Sequence, residues 1–460
     1  MSDPHPSSRW LARLERDEGP IYLGLVRALE AAIRAGDLQP GDRLPPQRTV
    51  ADLLGIDFTT VTRAYSAARG RGLIEGAVGR GTFVRARAAD DDAGLVDLSM
   101  NLPPPPRGVS LGGLLQKTTS EILQRTDTAA LMAYHPGGGS LGQKLAGTAW
   151  LAPCLGAVSP ERVLLSSGAQ AALAAVVSAV CKPGDRLVVE PLSYPGIRAV
   201  AAQLGVRLVV CATDDEGVIP DALERLCREE QPSALYLVPT MQNPTVTTMG
   251  LKRRRDVARL VQAHGLWAIE DDPYSRLMEK PIAALASFAP ERTFHVATLS
   301  KCFSPGLRIA FVVCPVGQMT ERIAEALRAV ELMPAPLMAA VAASWIREGV
   351  ADQILSGVRL EAHARRKLAT QALPAAVGSK DSIHVWLPLP QSLSPDRLRL
   401  SAQERGLSLV TADAFAMGPD HPNGVRISLG GPAKRSVLAD ALAAVAELVR
   451  DAPSRRPLVV

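Results

Sequence analysis

From Val96 onward, short apolar runs alternate with helical stretches, and this alternation constrains the fold more than any other feature of the chain. Residues 162–166, 186–190, 234–238, 267–270 and 309–313 are brief runs rich in Val, Leu, Ile and Ala. Runs without a polar face are what strands covered on both sides require, so all five read as buried parallel strands. Helical stretches such as 169–180 and 252–264 lie between them. Strand–helix alternation of this kind predicts a doubly wound, mostly parallel α/β domain, placed at 96–320. Beyond about residue 320 the pattern turns to helices with short strands at 382–389 and 424–428, which predicts a smaller α+β subdomain over 321–460. At 460 residues there is ample chain for two or three cores.

Composition narrows the class. Hydrophobic content of 47% with 21% charge fits a globular protein and excludes a disordered one. The net charge of +5 is too mild to argue for nucleic acid. The six cysteines, at 154, 181, 211, 227, 302 and 314, form no CxxC pair, so reduced, buried thiols are expected and neither disulfides nor a metal site. The opening MSDPHPSSRW has no apolar run, and the longest apolar stretch, 169–181, is too short to span a bilayer. No membrane partner and a cytoplasmic location are expected.

The basic charge is concentrated near the N-terminus. Residues 47–87 hold seven arginines against three acidic residues. Residues 1–19 read as a flexible polar lead, 20–86 as a compact unit and 87–95, with its Asp-Asp-Asp, as a linker. Within the unit, 47–54 predicts a short helix, Gly55 the sharp corner and 59–69 a second helix whose Val61 and Tyr65 share a face. Thr59, Thr60, Thr62 and Arg63 in its first turns suit phosphates and base edges of a major groove. Residues 73–75 and 81–84 flank a turn with Arg80 at its tip, a hairpin wing able to reach a minor groove.

The segment 298–310, TLSKCFSPGLRIA, places Lys301 among hydroxyl residues and seven positions before Arg308. A lysine amine can bond an aldehyde, and an arginine fork can hold a phosphate. Pyridoxal 5'-phosphate (PLP) carries both groups. Its ring nitrogen needs a carboxylate partner, and Asp271 or Asp272, after an apolar strand, can supply one. Gly168, Ala169 and Gln170 open a helix directly after a strand, where free backbone amides favour phosphate.

Three stretches, PGDRLPPQR at 40–48, TTVTRAY at 59–65 and GRGTFV at 79–84, resemble the winged helix of GntR-type repressors. That resemblance implies DNA contacts from Arg48, Thr59, Thr60, Thr62, Arg80 and Gly81 to a double-stranded operator. Phe58 stands where many relatives carry an arginine, which implies altered DNA specificity. Seven separated motifs over 96–430 resemble the fold-type I aminotransferases. By that resemblance Lys301 carries PLP, and Asp271 with Tyr274 meets the ring. Tyr194 stacks on the ring, and Asn243 bonds its oxygen. Gly168, Ala169, Gln170, Thr298, Ser300 and Arg308 hold the phosphate, Arg426 grips an α-carboxylate, and Tyr134 reaches the phosphate of a second subunit. Two departures stand out: Ala310 replaces a frequent glycine, and Asn101 stands where relatives often have glycine near the substrate.

Winged helix followed by aminotransferase-like domain is the layout of the MocR/GabR-type regulators. The resemblance implies a PLP-dependent transcriptional regulator working as a homodimer, usually domain-swapped. It would sense a small amine or amino acid that displaces Lys301 and forms an external aldimine. A working aminotransferase with an accessory winged helix, or a regulator that senses PLP itself, are the alternatives.

Overall fold

The apolar runs assemble into a seven-stranded sheet in a computed structural model that describes residues 6–14, 20–35, 37–38, 41–71, 73–77, 81–84, 95–135, 137–317, 319–390 and 393–450. The chain divides into two units, 1–94 and 95–460.

In the first unit, helices Ile21–Ala35, Gln47–Leu54 and Phe58–Gly70 precede an antiparallel hairpin, Ile74–Ala77 with Gly81–Val84. Gly55 ends the middle helix at φ 63, a left-handed turn that glycine adopts without a Cβ penalty. Two residues on, Asp57 caps the next helix by accepting from the Thr59 amide at 2.7 Å. The helix therefore starts one residue earlier than expected. Val61, Ala64, Tyr65 and Ala68 form its buried face, and the Tyr65 hydroxyl donates to the Pro45 carbonyl at 2.8 Å. Over its described residues, 6–14, the expected flexible lead is structured. Pro6–Arg13 forms a short helix, Trp10 is 2% exposed among Leu25, Leu29 and other apolar residues, and Arg13 pairs with Asp37. One tryptophan in a polar stretch is enough to tie it down, because indole burial outweighs the polarity of its neighbours.

The second unit's sheet runs in the order Val163–Ser166, Ala310–Val313, Thr293–Thr298, Trp267–Asp271, Ala234–Leu237, Arg186–Val189, Arg207–Val210. All neighbours are parallel except Ala310–Val313, which is antiparallel on both sides and so corrects the expectation of five parallel strands. Apolarity reports burial, not direction. The chain returns from Thr298 through a short loop, with no room for the crossover a parallel strand requires. Two strands escaped the sequence pattern. Thr293–Thr298 is wholly buried yet includes His295, and Arg207–Val210 is the edge strand.

The core on this sheet takes in Leu173, Val176 and Val177 from helix Ala169–Val180, but also Ile323, Leu327, Val341 and Trp345. Helices Met319–Glu331 and Pro336–Arg347 therefore pack with the large body, and the expected division at 320/321 is too early. Helix Val350–Ala372 spans both cores: Ile354 and Val358 belong to the first, Ala369 to the second. The second core gathers Leu98, Val385, Leu387, Val425, Ile427, Leu438 and Leu442 around an antiparallel sheet of His384–Pro388, Gly424–Ser428 and Val410–Thr411. An amphipathic pattern tells that a helix buries one face, not which core receives it. All six cysteines are buried and free. Among the described residues no helix is long and apolar enough to cross a membrane.

Candidate cofactor pocket and DNA-contact surface

The C-terminal ends of the parallel strands deliver Asp271 and Thr298, and the helix starting at Ala169 adds its N-terminus beside them. Ligands of open α/β sheets bind at this edge. A cavity of about 570 Å³ opens there, lined by Ala169, Gln170, Tyr194, Asn243, Asp271, Tyr274, Thr298, Ser300, Lys301, Arg308 and Arg426. Gly168 adjoins it. A Cβ at Gly168 would lie 2.6 Å from the Arg308 guanidinium, whose Nη2 donates to the Ser167 carbonyl at 3.0 Å.

Asp271 is 4% exposed; its Oδ2 accepts from the Tyr236 hydroxyl at 2.7 Å while Oδ1 has no partner. Burial raises its pKa to about 7, with the Tyr236 bond opposing that rise. Asp272 is turned away, accepting from Ser275 and facing His295, so Asp271 is the carboxylate in the cavity. The Lys301 amine donates to the Asn101 carbonyl. Burial, then the Arg426 charge, lowers its pKa to about 8, against the pull of Asp271. Thr298 and Ser300 join hydroxyls at 2.9 Å.

Arg426 is 6% exposed and lies 4.8 Å over the Phe415 ring. Its Nη1 donates to Asn243 Oδ1 at 2.8 Å, its Nη2 to the Ser99 carbonyl, and its Nε has no partner. Asn101 Nδ2 donates to the Tyr274 hydroxyl at 2.7 Å and approaches His384 Nδ1 at 3.4 Å. The other ring nitrogen of His384 faces the Gln242 carbonyl at 3.4 Å, so Nε2 carries the proton and Nδ1 accepts. Burial holds His384 neutral, its pKa down at about 3. The sequence motifs do not single out Tyr236, Asn101, His384 and Phe415 as residues that hold the cofactor. A lone hydroxyl within the apolar strand Ala234–Leu237 was the available signal for Tyr236; the others depend on long-range contacts. Tyr134 does not join this cavity and is 83% exposed.

In the first unit Arg48, Phe58, Thr59 and Arg63 are exposed, Phe58 at 49%. Thr60 is half-buried. The Thr62 hydroxyl turns inward, 2.9 Å from Gln47 Oε1, and the Thr59 hydroxyl donates to Asp57. Arg63 stacks 4.7 Å over the Tyr22 ring. Gly81 has φ 116 and lies against Arg43; Arg80 falls outside the described residues.

Residues 114–442 match the family described as Aminotransferase class I and II, and residues 21–84 match the bacterial regulatory proteins of the gntR family. The chain is 32% identical over 454 residues to the uncharacterized HTH-type transcriptional regulator YdeF of Bacillus subtilis strain 168, covering 96% of this chain and 97% of that protein. The chain belongs to the GntR-type regulators that carry an aminotransferase class I and II domain. The probable rhizopine catabolism regulatory protein MocR of Rhizobium meliloti is 28% identical over 73% of this chain and 74% of its own length. In fold, the chain matches the α-aminoadipate aminotransferase LysN of Thermus thermophilus, crystallised with N-(5'-phosphopyridoxyl)-L-leucine. The TM-score is 0.71 and the identity 24%, over 84% of this chain and 98% of that one.

The cofactor of this family of regulators is PLP, and the cavity suits it. The unpartnered Asp271 oxygen can meet a ring NH⁺, and the missing side chain at Gly168 leaves space beside Arg308 for phosphate. Bound there, PLP supplies an aldehyde that takes a primary amine and a ring that withdraws electrons.

Proposed function

We propose that this regulator senses an amine-bearing small molecule at Lys301 and reports it through its winged helix on DNA. The observation that carries this reading is the convergence of Lys301, Asp271, Arg308 and Arg426 on one cavity, in a chain whose residues 21–84 are of the gntR family. Lys301 holds its amine partly neutral near neutral pH, as a nucleophile needs. Asp271 keeps a carboxylate oxygen for the ring nitrogen. Gly168, Ala169, Gln170, Thr298, Ser300 and Arg308 take the phosphate, Tyr194 covers the ring, and Asn243 and Tyr274 face the ring oxygen. The Tyr274 hydroxyl accepts from Asn101, so its own proton stays available. Arg426 takes a carboxylate by its guanidinium fork.

Arg48, Thr59, Thr60 and Gly81 contact DNA in this reading, with Arg80 added from the wing tip. Thr62 contributes less, because its hydroxyl is already engaged within the domain. The exposed Tyr134 supports a homodimer in which it reaches a partner's phosphate site, with two winged helices spacing two half-sites. A completed transamination is the second reading, favoured by the presence of the lysine, the ring carboxylate and the arginine together. The test is DNA binding by the PLP-loaded protein, with and without a panel of amines and amino acids. A ligand-dependent change that Lys301→Ala abolishes supports sensing. Ligand consumption without any change on DNA supports the enzyme.

A further inference from the structure

The second helix of the helix-turn-helix, Phe58–Gly70, opens on a half-exposed phenyl ring. Phe58 precedes Val61 by three positions and Tyr65 by seven, a spacing that sets all three along one face of a helix. Val61 is 0% and Tyr65 2% exposed, whereas Phe58 keeps 49% of its surface open. The core of the unit therefore stops short of the helix's first turn. The ring stands beyond it, at the end that a recognition helix directs towards base edges.

The polar groups around the ring are already engaged within the domain. The Thr59 hydroxyl and amide both donate to Asp57 Oδ1, the amide at 2.7 Å. The Thr62 hydroxyl lies 2.9 Å from Gln47 Oε1 and 3.0 Å from the Phe58 carbonyl. Arg63 stacks over the Tyr22 ring. A helix N-terminus commonly receives phosphate, but a phosphate here would have to displace Asp57 from the Thr59 amide. The bonds from Thr59 hold the Asp57 carboxyl below its ordinary pKa, so its charge persists at neutral pH and repels a second anion. The group left to offer is the apolar ring. In a major groove the base-edge feature of matching character is the 5-methyl group of thymine.

We propose that Phe58 reads a thymine by packing its ring against the 5-methyl group, so that each operator half-site carries a T·A pair where this helix start meets the groove. The inference rests on the DNA-binding role given above for the winged helix and adds the base that it selects. The contact carries no charge, so it contributes specificity without a salt-dependent share. Asp57 assists by turning phosphate away, which leaves the ring to the groove floor. Losing the methyl group removes the burial of one carbon, about fourfold in affinity.

The experiment starts from duplexes selected out of a random pool by the full-length, PLP-loaded protein. Each thymine of the selected site is exchanged in turn for 2'-deoxyuridine, which removes the 5-methyl group and keeps every hydrogen-bonding group. Affinity is read by fluorescence anisotropy. Wild type is expected to lose about fourfold at one thymine of each half-site. Phe58→Ala is expected to bind the thymine and deoxyuridine duplexes equally, with an unchanged slope of log affinity against log salt. Phe58→Gln is expected to lose the preference as well and serves if Phe58→Ala does not fold. Wild-type affinity indifferent to every methyl group overturns the proposal. So does a methyl preference that Phe58→Ala or Phe58→Gln retains in full. Failure of wild type to bind any duplex overturns the reading of the winged helix beneath it.

Discussion

The helix-turn-helix displays its polar groups on supports 2 to 41 residues away, whereas the cofactor pocket buries its charges among partners up to 327 residues distant in sequence. The first arrangement is cheap to alter. Arg48, Phe58 and Thr59 are exposed, so exchanging them changes recognition without exposing a core. The second is costly to alter, since each buried polar group in it leaves another unsatisfied when removed. A regulator built this way can change its operator readily while its chemistry stays fixed.

That contrast can be broken first at the lysine. Lys301→Ala is expected to lose all lysine-bound cofactor absorption and all response to amines, while ligand-free DNA affinity stays unchanged. Retained absorption would remove the lysine from the account. Arg426→Gln strands Asn243 Oδ1 and the Ser99 carbonyl, and should weaken the response to an amino acid by about 100-fold, in the range of a buried charge-assisted bond. A loss equally large for the matching amine would mean that Arg426 acts through folding and not through the carboxylate.

The pocket also carries a pH signature opposite in sign to that of Asp57 in the winged helix, whose bonds to Thr59 lower its pKa. Asp271 titrates near 7 when folded, well above an ordinary carboxylate, so between about pH 4 and 7 the folded state holds a proton that the unfolded chain has released. Cofactor-free protein should therefore lose stability as pH rises through that window. Glu190, also raised to about 7 by burial, adds to the same trend. Neutral burial of His384, its pKa held down at about 3, opposes that trend below about pH 6.5. Asp271→Asn should make the fall of Tm with rising pH shallower; an undiminished slope would clear Asp271. On the DNA side, Arg48→Ala should lower the slope of log affinity against log salt by about 1, the mark of one phosphate contact. Phe58→Arg should raise it by about the same amount if that position faces DNA.

The same contrast governs what the residues reveal in sequence. The Lys301 loop and the capped recognition helix were readable because their parts lie within a dozen positions, and local spacing decides which atoms meet. The residues alone leave Asp271 and Asp272 equivalent, and only the resemblance carried by the Asp271–Tyr274 spacing favours Asp271; in the structure the difference is which carboxylate Ser275 ties down. Asn101 was visible as a departure from relatives, but its bonds to Tyr274 and Lys301 span 173 and 200 positions and follow from the assembled sheets. Strand direction at Ala310–Val313, and the core that receives helices Met319–Glu331 and Pro336–Arg347, were likewise set by connection length and packing. Trp10 shows the reverse case, a single apolar residue that outweighs the polarity of its segment.

The central claim is that one chain joins covalent recognition of a small molecule to DNA binding. Fluorescence anisotropy of the PLP-loaded protein on a labelled duplex from a selected binding-site pool, with an amino acid that shifts the cofactor absorption added stepwise, tests it directly. The account predicts that DNA affinity changes over the same ligand concentrations that change the absorption, and that Lys301→Ala abolishes both changes together. An absorption change with constant DNA affinity would contradict it.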